Sequence, residues 1–372
     1  MSHTVRQQLR SVVVQAPRTC GVSGATIQAL REAAGAALRR LSRSPRVGRY
    51  AFHYEHVLGT SLELQVVATH ADVAHRAESV VLAEVDRLAQ ILSGYSASSE
   101  LSRWQCTHGV AVQISPELAD VLEAAESWRV RTRGAFNAAA ISLVDLLRDT
   151  AAPGVDATMH DDDVPQRRVV RDRLGALDES LWTVDRVRGR ACRITRLPVS
   201  LDALAKGYIV DRAAAVARDV DGVSQVLVNI GGDLRHFGPR ALSVSVTDPR
   251  EPAENGPPIA MVSIRDAALA TSGGYRRGFV LNGCRVSHIL DPRTGLPAES
   301  IASASVLAPD CATADALSTA FSVMAPQESV AFADAIPNVG CLLVQRDGTV
   351  TTNAAWDARA LPVPYSTTHS RN

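Results

Sequence analysis

Gln225-Val226-Leu227-Val228-Asn229-Ile230-Gly231-Gly232-Asp233 reads as a buried strand that runs into two glycines. A short, nearly continuous apolar run suits a strand covered on both faces. Paired glycines let the backbone turn sharply or approach a ligand closely, although Gly-Gly before Asp also makes a plain turn. Just upstream lies Ala203-Leu204-Ala205-Lys206-Gly207-Tyr208-Ile209-Val210-Asp211, which places Lys206 at a strand-to-helix junction and leads into a helix over Tyr208–Arg218. Outward from this centre, strands are expected at 61–67, 182–184, 191–194, 242–246, 259–264, 303–307 and 340–345. Helices are expected at 74–92, 116–131 and 315–324; the second opens on Ser115-Pro116, a cap followed by a first-turn proline. Strands and helices alternate irregularly, which predicts an α+β fold with mixed layers and excludes a doubly wound parallel sheet. No internal repeat, GxGxxG segment or Walker loop occurs.

The chain has 372 residues, enough for two to three units at about 150 residues each, or for one large domain with insertions. Lys+Arg and Asp+Glu are both 39, so there is no basic excess of the kind that marks a general nucleic-acid binder. A hydrophobic fraction of 46% rules out a wholly disordered chain. No apolar run approaches the roughly 20 residues of a membrane span. Lys206 is the only lysine; every other basic residue is arginine. In a chain that uses arginine wherever arginine serves, the lysine that is kept is a functional candidate. Cys20, Cys106, Cys192, Cys284, Cys311 and Cys341 are widely spaced, form no CxxC pair, and read as buried thiols of a reducing compartment.

Residues 1–49 carry nine arginines and one acid, Glu32, and read as a basic N-terminal arm with a helix over Thr26–Leu41. Its apolar stretch Ser11–Val14 is too short for a secretory signal, which points to the cytoplasm, with a membrane-surface role for the arm as the alternative. The globular part is expected over 50–355, interrupted by a solvated insertion or linker at about 149–173 that contains Asp161-Asp162-Asp163, and followed by a tail at 356–372.

Three groups of residues suggest chemistry. A lysine at a helix start can hold a phosphate as a compact charge or pair with a carboxylate. Ser287-His288-Ile289-Leu290-Asp291-Pro292 sets a histidine three residues before an aspartate, a spacing that suits either an acid–base pair or a structural histidine beside a turn. Asp315 and Thr319 stand four apart at a helix start, so a carboxylate and a hydroxyl share one face. Such oxygen donors suit Mg²⁺, and the same aspartate could equally be an ordinary helix-dipole residue.

Taken in order, Leu58-Gly59-Thr60, Ser93-Gly94-Tyr95 with Ser99-Glu100-Leu101-Ser102-Arg103, Gly134-Ala135-Phe136, Ala205-Lys206-Gly207-Tyr208 with Asp211, Asn229–Asp233, Thr271-Ser272-Gly273, Ser287–Pro292 and Thr313-Ala314-Asp315-Ala316-Leu317-Ser318-Thr319 resemble the ApbE-type FAD:protein FMN transferases. The resemblance spans about residues 50–350. It implies a T-fold-like α+β architecture of two lobes with mixed sheets and a cleft between them that takes FAD and Mg²⁺. It also implies transfer of FMN from FAD to a Thr or Ser hydroxyl of an acceptor protein through a phosphoester, with AMP released.

By position, the resemblance puts flavin contacts on Leu58, Tyr95, Ala135, Phe136, Asn137, Ser200, Lys206 and Ile289. It puts metal contacts on the Ala203 carbonyl, Asp315, Ser318 and Thr319, and the catalytic histidine on His288; the residues themselves add Lys206 and Asp291 as catalytic candidates. Three positions depart from the family pattern: Leu58 stands for Met, Asn137 for Asp, and Ser200 for Asp. The lost carboxylates bear on FAD affinity. They keep open a flavin-binding protein without turnover; an FAD pyrophosphatase that gives FMN and AMP is a further alternative, since the same site would serve water as acceptor.

Overall fold

The computed structural model describes residues 47–150, 165–251, 256–274, 278–281, 284–287, 290–298 and 300–363. The expected helix at Thr26–Leu41, the acidic run at 161–163, and His288 and Ile289 lie outside the described residues.

An eight-stranded sheet organises the chain. Its strands are β1 (Gly48–Val57), β2 (Thr60–Ala68), β6 (Val223–Ile230), β7 (Asp233–Phe237), β10 (Ala268–Gly273), β13 (Ile301–Ala308), β14 (Gly340–Gln345) and β15 (Val350–Thr352), in the order β1-β2-β6-β7-β10-β13-β14-β15. Among the described residues each pair within it is antiparallel. Side chains alternate between two cores, as a strand period of two requires. Val226, Val228 and Ile230 face one core and Leu227 the other; Cys341 and Leu343 face the first, Leu342 and Val344 the second.

The first core is covered by helices, chiefly α1 (Ala71–Leu92), α6 (Asp202–Arg218) and α7 (Cys311–Phe321). α1 buries Val73, Ala77, Val81, Val85, Leu88 and Leu92, a stripe repeating every three or four residues. α6 and α7 approach closely because their contact is made of small residues. A Cβ on Gly207 would lie 2.4 Å from the Cys311 carbonyl oxygen, so only glycine fits. The second core is covered by a three-stranded sheet of β8 (Leu242–Thr247), β9 (Pro258–Ile264) and β16 (Ala360–Leu361), with Trp356 buried beneath it.

A smaller sheet, β3 (Ala111–Gln113), β5 (Arg190–Arg193) and β4 (Trp182–Asp185), packs beside α2 (Glu100–Gln105) and α3 (Pro116–Arg131). Trp104 and Trp182 meet edge-to-face there at 5.8 Å, and the Trp182 indole donates to the Leu122 carbonyl. Two further helices, α4 (Ile141–Thr150) and α5 (Pro165–Asp178), follow α3.

The α+β class follows from these layers. Several boundaries differ from the sequence reading. Residues 165–173, expected as solvated linker, lie in α5, whose Leu177 is buried. The expected tail at Trp356 is part of the fold, since Trp356 is 1% exposed and β16 pairs with β9. Gly48 and Arg49, expected in the arm, pair with β2. α6 begins at Asp202 and α7 at Cys311, so Lys206 and Asp315 sit one turn inside their helices and not at the start. Among the thiols, Cys311 and Cys341 are buried but Cys106 is exposed, which corrects the reading of uniformly buried cysteines.

Candidate functional site

Antiparallel register brings three short segments to one end of the large sheet. The β1–β2 turn is Leu58-Gly59, the β6–β7 turn is Gly231-Gly232, and Thr271-Ser272-Gly273 closes β10 beyond its pairing with β7. Both turns have positive φ at each central residue, which matches the twist of a two-residue hairpin. Leu58, at φ +50 and 37% exposed, is a costly choice there, since a leucine strains where Asn or Gly would not. The two turns touch: the Gly231 N–H donates to the Ser61 carbonyl at 3.1 Å, and a Cβ on Gly231 would strike the Thr60 side chain.

The first residue after the glycine turn, Asp233, is buried and forms an ion pair with Lys206 of α6. The same ammonium lies 3.8 Å from Asp315 Oδ1 on α7. The other oxygen, Asp315 Oδ2, accepts the Gly207 N–H at 3.0 Å. Burial pushes the Asp315 carboxyl above the usual carboxylate range and nearby Asp202 adds to this, while Lys206 and the Gly207 N–H oppose it. One turn along α7, the Ser318 hydroxyl meets Ser272 at 2.8 Å, and Thr319 meets the same Ser272 hydroxyl at 3.3 Å. Two carboxylates, three hydroxyls and an ammonium from α6, α7, β7 and β10 therefore converge.

α7 is held by acids at its own N-terminus. Asp310 caps the Thr313 N–H at 2.7 Å, and Asp211 of α6 accepts from the N–H groups of Cys311 and Ala312 at 2.8–2.9 Å. Burial pushes the Asp211 carboxyl up to about 6 against the lowering effect of those N–H groups. Arg235 stands 3.7 Å from Asp211 and donates to the Pro309 carbonyl.

At the N-terminal end of α6, Tyr95 is 83% exposed and donates its hydroxyl to Asp202 at 2.8 Å. The Ser200 N–H donates to the Ala138 carbonyl at 2.8 Å, tying the segment 135–139 to the same helix start. Phe136 is only 1% exposed and Ala135 2%, so both pack into the core. Asn137 is also buried: its amide donates to the Leu177 carbonyl at 3.0 Å and accepts from the Ala139 N–H at 2.9 Å. An aspartate could not make the first of these bonds. Both oxygens of Asp291 are engaged by Arg293 in a bidentate pair at 2.9 Å, within a turn closed by bonds from Thr294 and Gly295 to the Asp291 carbonyl. Asp291 thus builds the turn.

The profile of the ApbE family matches residues 58–343. The chain belongs to the ApbE family. An FAD:protein FMN transferase of Treponema pallidum is 30% identical over 328 residues, covering 83% of this chain and 88% of that relative. One from Vibrio cholerae is 31% identical over 278 residues, covering 71% and 79%. The crystal structure of the ApbE protein from Thermotoga maritima superposes with a TM-score of 0.72 at 27% identity, over 85% of this chain and all of the other. Among the described residues of this ApbE-family chain, no helix is long and apolar enough to cross a membrane.

The donor set can be tested against Mg²⁺. Among the described residues, no three His, Cys, Asp or Glu gather into a metal cluster. Mg²⁺ needs no such cluster; it takes one or two carboxylates and leaves positions for phosphate oxygens and water. Asp315 would supply the carboxylate, and Thr319 and Ser318 would supply hydroxyls. The Gly207 N–H that reaches Asp315 is the regular helical partner of the Ala203 carbonyl, so that carbonyl and the carboxylate compete for one donor. All of these are hard oxygen donors, and Asp233 and Asp315 face a single ammonium. The residues fit a divalent cation.

Sequence reasoning missed Asp233 and Ser272 as site residues. Twenty-seven positions separate Lys206 from Asp233, and only the β6–β7 hairpin brings them together.

Proposed function

We propose that this chain is a Mg²⁺-dependent FAD:protein FMN transferase, which moves FMN from FAD to a Thr or Ser hydroxyl of an acceptor protein and releases AMP. The observation that carries this reading is the oxygen-rich cluster of Asp315, Thr319, Ser318 and Ser272 next to Lys206, at the sheet end where the Leu58 and Gly231-Gly232 turns meet.

In this reaction the acceptor oxygen forms a bond to the flavin-side phosphorus, the phosphoanhydride bond breaks, and AMP leaves with the electron pair. The anhydride is highly anionic, so the site must neutralise charge as the leaving group departs. Mg²⁺, held by Asp315, Thr319, Ser318 and the Ala203 carbonyl, supplies that neutralisation when bound. Lys206 contributes a compact positive charge on the same side. Tyr95, exposed and fixed through Asp202, offers a ring face against which a planar ligand can pack. Leu58 offers an apolar contact from a strained turn. His288, by the family correspondence, takes the acceptor hydroxyl's proton. Asn137 keeps the fold of its own segment, so its replacement of an acidic residue leaves the cation cluster intact.

The test is incubation with FAD and Mg²⁺, with and without a Thr-containing acceptor domain, followed by chromatography of AMP and FMN. AMP that appears with acceptor present and without matching free FMN is the expected result. Equal AMP and FMN without acceptor would make the protein a pyrophosphatase, and unchanged FAD in every tube would make it a binding protein.

A further inference from the structure

The position read as a cation site already has a cation beside it. Asp315 has one oxygen, Oδ2, occupied by the Gly207 N–H; a metal would have to take the other, Oδ1, which is the one Lys206 faces at 3.8 Å. Asp233 pairs with the same ammonium. The Asp233 and Asp315 side chains are 2% and 4% exposed, and buried carboxylates at this depth need a counter-charge. The Lys206 side chain is 30% exposed, so its head can swing outward on a flexible four-carbon stem. An arginine would lock both donors of a planar fork onto one carboxylate and could not move in this way.

We propose that Lys206 is a built-in counter-cation that holds the divalent-cation position at low affinity until an anionic substrate arrives. A metal ion on Asp315 Oδ1 would lie within a few ångströms of the ammonium and be repelled by it. A pyrophosphate neutralises both charges and draws the ammonium toward itself. Metal and FAD therefore bind cooperatively, and each strengthens the other by the same factor. This order of events keeps the site from trapping metal when no nucleotide is present. The inference rests on the reading of Asp315 as a metal ligand.

The test titrates Mn²⁺ calorimetrically into the full chain, alone and at saturating FAD. For the wild type, FAD is expected to tighten Mn²⁺ binding by about tenfold or more, within the ordinary range of coupling between sites. Lys206→Met is expected to bind Mn²⁺ alone about tenfold tighter than wild type, with the FAD dependence reduced. The Lys206→Met/Asp233→Asn double variant removes the pair together and covers the case in which an unpaired Asp233 prevents folding; it is expected to tighten Mn²⁺ binding in the same direction. If the variant that folds binds Mn²⁺ alone no tighter than wild type, the counter-cation role is overturned. If Asp315→Asn binds Mn²⁺ as well as wild type, the underlying reading of the metal ligand fails instead.

Discussion

The two faces of the large sheet solve different problems. Against β8 and β9, the sheet presents Leu227, Leu234, Leu269, Leu307, Leu342 and Val344, which pack on Val246, Val262, Ile264 and Trp356. Against α6 and α7, the same strands carry apolar residues for most of their length. At one end, however, Asp233 and Ser272 meet Lys206, Asp315, Ser318 and Thr319. Buried apolar residues stabilise by leaving water, at roughly 25 cal/mol per Å². Buried carboxylates cost stability unless they are paired, and they persist where function uses them. The strand-covered face is thus a source of stability, and the helix-covered end draws on it.

This contrast can be broken from either side. Asp315→Asn keeps an acceptor for the Gly207 N–H and removes a buried charge. Turnover measured by AMP release is expected to fall about a hundred- to a thousandfold, a loss typical of a removed charge-stabilising group. The thermal midpoint is expected to stay or rise. A large fall in the midpoint would mean that Asp315 is structural. Ile264→Ala, at a fully buried position under the small sheet, is expected to do the opposite. Denaturant titration should show a loss of about 3 kcal/mol, with FAD affinity per folded molecule unchanged.

The helix-covered face should also have a distinctive pH response. Asp211 ionises at about 6 in the folded chain against an ordinary value near 3.8, because burial disfavours its charge. Its contribution is complete below the unfolded value and is lost as pH rises through about 6. Across that window, stability should fall with rising pH by roughly 2–3 kcal/mol on this group's account. Asp315 is shifted in the same direction. Asp211→Asn should flatten the slope in denaturant titrations between pH 4 and 6. An unchanged slope would show that Asp211 is not the group responsible.

The smallest effect is expected at Leu58. Asn is at home at positive φ, so Leu58→Asn should stabilise the hairpin by up to about 1 kcal/mol while weakening FAD binding measured by flavin fluorescence. Weakened binding without added stability would leave the strain argument unsupported.

Periodicity made much of this fold legible. The alternation at 61–67, the helical stripe at 74–92, the Ser115-Pro116 start and the run at 225–230 all correspond to observed elements. The start of α6 was not legible for a physical reason. Leu201 occupies its N-cap position and its own side chain makes no capping bond, the Asp202 N–H being met instead by the Ser200 hydroxyl one residue earlier, so no ordinary N-cap signal marks Asp202 as the first residue. α7 does have a cap, Asp310 on the Thr313 N–H, three residues ahead of that donor. Of the candidate site, Lys206 and Asp315 stood out by chemistry and resemblance. Asp233 and Ser272 did not, because hairpin and strand pairings between distant segments, not spacing, bring them to the lysine and the helix.

The most direct test of the central claim is a crystal of the full chain grown with Mn²⁺ and FAD, measured at the manganese absorption edge. The expected result is an anomalous peak on Asp315 Oδ1, with Thr319 in the same coordination sphere and the Lys206 ammonium turned toward the pyrophosphate. A peak elsewhere on the chain, with Lys206 still seated between Asp233 and Asp315, would contradict it.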